Sequence, residues 1–142
     1  MATFTRQQAG TLLFDGVRTD LEQAGAVELL LERQFEAAVR HRSQELTRLA
    51  EELTPLLDAM EARRRQRVQL VRALLGDGAT IDDYIGTLAA QPRADFLDAW
   101  RDLEAMVRQC KSATIRNGKL LAEQYSVMQR VLHGEEQIYA PR

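Results

Sequence analysis

The sequence predicts an all-α protein: an elongated antiparallel bundle of two to three long helices, with a short connecting helix and a flexible C-terminal tail. Three observations lead there. Apolar residues recur at spacings of three and four from one end of the chain to the other, and no stretch alternates with a period of two. Eight glycines and three prolines in 142 residues leave room for few turns. Hydrophobic residues at 45% and charged residues at 28% supply both a core and a solvated surface, which excludes a disordered chain.

The first helix is expected to start at Thr3 or Thr5, either hydroxyl being a suitable N-cap. Its apolar face runs through Leu13, Val17, Leu21, Ala24, Val27 or Glu28, Leu31, Phe35 and Ala38. The spacing lapses over Arg40-His41-Arg42-Ser43, so a break is expected there, and Leu46, Leu49, Ala50 and Leu53 restart the pattern. Thr54-Pro55 reads either as the cap and first turn of a fresh helix or as a kink within a continuing one, and the fresh start is the preferred reading. Leu56, Leu57, Met60, Val68, Val71, Leu74 and Leu75 carry the face onward to a stop at Gly76-Asp77-Gly78. Thr80 then caps a short helix with Asp82 and Asp83 near its positive end, and Ile81, Tyr84, Ile85 and Leu88 form its core face.

Gln91-Pro92 interrupts that helix, and the last one follows over about 92–133. Its seam is Phe96, Trp100, Leu103, Val107, Cys110, Thr114, Asn117, Leu121, Gln124, Met128 and Val131, a line of ~60 Å at 1.5 Å per residue. The seam is apolar in its first part, polar around Asn117-Gly118, and apolar again beyond. Gly134 is expected to end the helix, which divides the chain into a bundle domain over 1–134 and a loose tail over 135–142. The spacing alone leaves two readings of the last helix open. Its apolar residues either all belong to a three-helix core or partly form a groove or face for a partner helix. An asparagine on a seam fixes register or pairs with a particular partner, at a cost in stability. Gly118 lets the helix bend or another backbone approach.

The sequence gives little support to catalysis. His41 and His133 are far apart in sequence, and no Glu has a His three positions later, as a di-metal carboxylate bundle would need. Neither a metal nor a cofactor is expected, and the protein is read as no enzyme. The single cysteine, Cys110, excludes an internal disulfide and reads as a small packing residue. Gly76-Asp77-Gly78 lacks the lysine and preceding strand of a phosphate loop. A net charge of -2 points away from nucleic acid and anionic membranes. Arg63-Arg64-Arg65-Gln66-Arg67 wraps around its helix as a solvated face, with Asp58 and Glu61 in pairing distance. No signal peptide and no transmembrane run is visible, so a cytoplasmic protein is expected.

The run Asn117-Gly118-Lys119-Leu120-Leu121, the helix continuing to Leu132, and a tail with Ile138-Tyr139 together resemble the C-terminal signature of FlgN-type flagellar export chaperones. The upstream pattern is similar as well, from Leu31-Glu32-Arg33 through Leu46, Leu49 and Leu56-Leu57 to Glu61 and the arginine cluster. The resemblance implies a chaperone of type III secretion. Such a protein would hold the C-terminal helical region of hook-associated proteins of the hook–filament junction, prevent premature assembly, and deliver them to the export gate. It makes Asn117, Leu120, Leu121, Tyr125, Met128 and Leu132 candidates for client binding. It makes Ile138 and Tyr139 candidates for docking at the gate's cytoplasmic domain. The family often continues Tyr-Gly, whereas this chain ends Tyr139-Ala140-Pro141-Arg142. The alternatives are a filament-cap chaperone of the same apparatus, a homodimeric helical adaptor using the same seam, and a nucleic-acid binder working through Arg63 to Arg67.

Overall fold

A computed structural model describes residues 4–139, with side chains through Glu135. Four helices follow one another, α1 (Arg6–Val39), α2 (Ser43–Leu75), α3 (Ile81–Gly86) and α4 (Ala90–Tyr139), and no strand occurs among the described residues. Helix α1 is the axis of the bundle, and both α2 and α4 pack along it.

Thr5 caps α1 through a reciprocal pair with Gln8, its hydroxyl accepting from the Gln8 N–H while the Gln8 side chain accepts from the Thr5 N–H. The helix buries Leu13, Val17, Ala24, Val27, Leu31 and Ala38 on the expected stripe. His41, in the turn that follows, has φ 56°, a left-handed conformation that reverses the chain into α2.

Helix α2 runs unbroken through Pro55, so the fresh start expected at Thr54-Pro55 is replaced by a continuing helix. Proline costs an interior helix about 3 kcal/mol because it removes one N–H and crowds the preceding turn. Packing offsets that cost. Leu49 and Leu53 before the proline and Leu56 and Met60 after it lie in one apolar cluster with Val27, Leu30 and Leu31 of α1. Thr54 contributes no cap; its hydroxyl donates to the Ala50 carbonyl within the helix at 2.9 Å.

Gly76 and Gly78 both adopt positive φ, 98° and 82°, which ends α2 sharply. Thr80 caps α3 in a reciprocal pair with Asp83, as its position predicts. Tyr84 and Ile85 are buried beneath the bundle's end, where Tyr84 meets Phe96 edge-on and Phe96 meets Phe14. Helix α4 begins at Ala90 with Pro92 in its first turn, a position that tolerates the missing N–H. It does not stop at Gly134 but runs on to Tyr139.

Candidate functional site

Three contacts fix how α4 lies on α1. The Cys110 thiol donates to the Ala24 carbonyl at 3.6 Å, the Asn117 carboxamide to the Leu31 carbonyl at 2.8 Å, and the Gln124 carboxamide to the Ala38 carbonyl at 2.8 Å. Each step is one heptad on both helices. The two helices therefore run in the same direction, as the first and third long helices of an up-down-up path do, in the register of a coiled-coil seam.

The middle contact is the most elaborate. Asn117 is 1% exposed and also donates to the Gln34 side chain at 2.8 Å. Its oxygen accepts from Arg116, which pairs with Glu32 at 3.0 Å and lies over the Phe35 ring, 4.1 Å from its centroid. Asn117 is thus committed to α1 and presents no free face to a client. Seam position and residue type announce a buried asparagine, but Glu32, Gln34 and Arg116 carry no pattern that singles them out.

The seam differs from the sequence-based line in two places. Val107 and Thr114 are exposed, and Met106 and Ala113 take the inward positions. Cys110 and Asn117 keep their heptad, but the inward residue between them comes three positions after Cys110 (Ala113) and not four (Thr114), and Met106 likewise replaces Val107 after Leu103. Phe96, Trp100 and Leu103 do anchor the first half of α4.

Above Asn117 the packing thins. Leu120 and Leu121 are half-buried, and Leu120 lines a hollow of about 500 Å³ with Phe35 and Ile115. Helix α1 ends at Val39, level with Gln124, and α4 projects beyond it for about fifteen more residues, ~22 Å. Every residue from Tyr125 to His133 is exposed. Tyr125 is 66%, Val127 49%, Met128 61%, Val131 57% and Leu132 52% exposed, which places five large apolar side chains in water on one projecting helix.

Met128, Val131 and Leu132 cluster about one direction, with Tyr125 and Val127 on its two flanks. At 100° per residue, Met128 and Val131 fall within roughly 40° of the line that meets α1, Leu132 within about 60°, and Tyr125 and Val127 within about 80°. Ser126, Arg130 and His133 lie on the opposite side by the same count. The projecting segment therefore continues the α1-facing seam past the end of α1. Ile138 and Tyr139, the gate-docking candidates, have side chains outside the described residues.

The arginine cluster is not a uniformly solvated face. Arg63 donates to Asp20 and to Gln23, and Arg67 pairs with Asp20 at 2.8 Å and lies over Trp100. Asp20 is 1% exposed, a buried carboxylate that the sequence reading missed because it sits on the apolar stripe of α1 at helical spacing. Arg64 and Arg65 both turn to Glu61, whose carboxyl the Arg64 hydrogen bond, followed by that of Arg65, holds down at about 2. Every arginine of the cluster thus has a carboxylate partner, which removes the basis for a nucleic-acid surface. No group of three His, Cys, Asp or Glu among the described residues is placed to hold a metal. No described helix is long and apolar enough to cross a membrane.

A protein-family model described as FlgN protein matches residues 12–134. The chain belongs to the FlgN family. FlgN proteins are flagellar export chaperones, so the activity of this chain is chaperoning in flagellar assembly and export, and the family is not an enzymatic one. The matched span includes the whole α1–α4 register and the exposed apolar segment, and leaves Ile138 and Tyr139 outside it. No curated protein and no solved structure matches the chain.

Proposed function

We propose that this FlgN-family chaperone binds the C-terminal helical region of hook-associated proteins on the projecting part of α4, prevents their premature assembly, and delivers them to the export gate. The observation that carries the reading is the exposed Tyr125, Met128, Val131 and Leu132 on the continuation of the α1-facing line. An amphipathic client helix laid there extends the line of α1 and completes the seam, as helix-in-groove recognition does with anchors at three- and four-residue spacing. Leu120 and Leu121 form the base of the site, where client and α1 meet. Asn117 acts from below by fixing the register of α4. Met128 suits a surface that accommodates more than one client sequence.

Ordering a client helix costs several kcal/mol of the gross interaction, which keeps the complex releasable at the gate. Ile138 and Tyr139, on the same helix beyond the client face, are the residues we assign to gate docking. Their proximity to the client face would couple release to docking.

The test is co-expression of the full chain, and of a chain ending at Gln124, with the C-terminal segments of hook-associated proteins. The full chain co-purifies with the segment and the shortened chain does not, while both remain helical. Equal recovery by both removes the projecting helix as the site.

A further inference from the structure

The opposite end of the rod holds a second hollow, about 760 Å³, between the first turns of α1 and α4 and above α3. Its floor is apolar, made by Phe14, Leu88 and Phe96. Two hydrogen-bond donors border it without an acceptor among the described residues. One is the hydroxyl of Tyr84, a residue only 6% exposed, which lies so close to Gly10 that a Cβ there would stand 2.8 Å from it. The other is the Arg6 guanidinium, whose charge acts on the Tyr84 hydroxyl. Asp15 stands farther along α1 with no cationic partner among the described residues, and Asp95 borders the hollow from α4, accepting only from Gln91. Arg6 and Asp15 are nine positions apart on α1, about 13 Å along its axis.

We infer that this hollow is a second docking site, for a segment of a partner protein in which an acidic residue sits beside a bulky apolar one and a basic residue follows. The carboxylate accepts from Arg6 and Tyr84, the apolar side chain fills the space over Phe14 and Phe96, and the base pairs with Asp15 and Asp95. Charge complementarity decides the occupant. A purely apolar ligand would use neither the Arg6 charge nor the carboxylates of Asp15 and Asp95, and a simple anion would use only the first. The site lies at the other end of α1 from the projecting helix, so it leaves the client face free and can act while that face is occupied.

The test uses the full chain and a phage-displayed library of random twelve-residue peptides. Enriched peptides are expected to carry the acid–apolar–base pattern. One synthetic peptide of that pattern should shift the amide resonances of Gly10 and Tyr84, bind at least tenfold more weakly to Arg6→Glu, and about fivefold more weakly to Tyr84→Phe. Arg6 is an exposed first-turn residue, and Tyr84→Phe keeps the ring, so both variants retain the fold. Peptides without an acid, unchanged binding to Arg6→Glu, or resonance shifts confined to the projecting helix would each overturn the inference. So would sedimentation in which the free chain forms a dimer that Arg6→Glu dissolves.

Discussion

The side-chain amide of Asn117 donates to the main-chain carbonyl of Leu31 at 2.8 Å, across a parallel helix pair. Because that carbonyl sits inside α1, the bond recognises one position along the helix and so sets where α4 can lie. Asn117→Ala should cost about 1–2 kcal/mol, the net worth of a buried hydrogen bond and its Gln34 partner. Asn117→Leu should recover most of that stability by apolar packing while loosening the register. Urea denaturation measures the first effect. Amide exchange at Leu31 to Phe35 and at Ala113 to Gln124 measures the second.

Asp20 is the other buried polar residue of the core, held by Arg63 and Arg67 from α2. Removing one member of such a group strands the remaining charges. Asp20→Ala should destabilise the protein by about 3 kcal/mol. Replacing Asp20 together with both arginines by apolar residues of similar volume should restore much of the loss. Equilibrium unfolding of the two variants checks both expectations.

Cys110 lies half-buried against Ala24, and burial, with a smaller contribution from Glu28, pushes its thiol up. The thiolate is the reactive form. At pH 8.5 alkylation by iodoacetamide should therefore run several-fold slower in the folded protein than in urea. Separation of α4 from α1 raises the rate, which makes this thiol a reporter of the seam.

Gly118 is exposed, and a Cβ built there meets nothing within 4 Å. No backbone of the bundle approaches it, and the residue only weakens α4. Gly118→Ala should raise stability by about 1 kcal/mol. It should leave client binding unchanged, since position 118 lies level with α1, before the projecting segment begins. Thermal unfolding and a pull-down together check this.

The fold was largely legible because its elements obey local rules. Helical spacing gives α1, the Gly76 and Gly78 turn ends α2, and Thr80 caps α3. Pro55 was not legible, since what keeps α2 intact is the packing of Leu49, Leu53 and Leu56 on a helix distant in sequence. Gly134 fails to end α4 for a different, local reason. One glycine costs a helix about 1 kcal/mol, too little to end it without a turn-forming neighbour. At the site, Tyr125, Met128 and Leu132 could be picked out as apolar residues on the last helix, and the structure finds them exposed. Their exposure itself depends on where α1 ends relative to α4, a register set by Asn117 and Gln124 across the interface. A single-chain pattern does not contain that relationship. Asp20 was missed because a buried acid at core spacing is visible only once Arg63 and Arg67 are seen to reach it.

The most direct test compares two double variants of the full chain. Met128→Asp with Val131→Asp places two charges on the continuation of the seam, and Ser126→Asp with Arg130→Asp changes the opposite side of the same helix segment. Binding of each to the C-terminal segment of a hook-associated protein is measured by titration calorimetry, with circular dichroism confirming the fold. The seam-side variant should keep its helicity and lose binding by at least a hundredfold, while the opposite-side variant binds within a few-fold of the unmodified chain. Equal binding by both, in folded protein, would contradict a client helix that extends the line of α1.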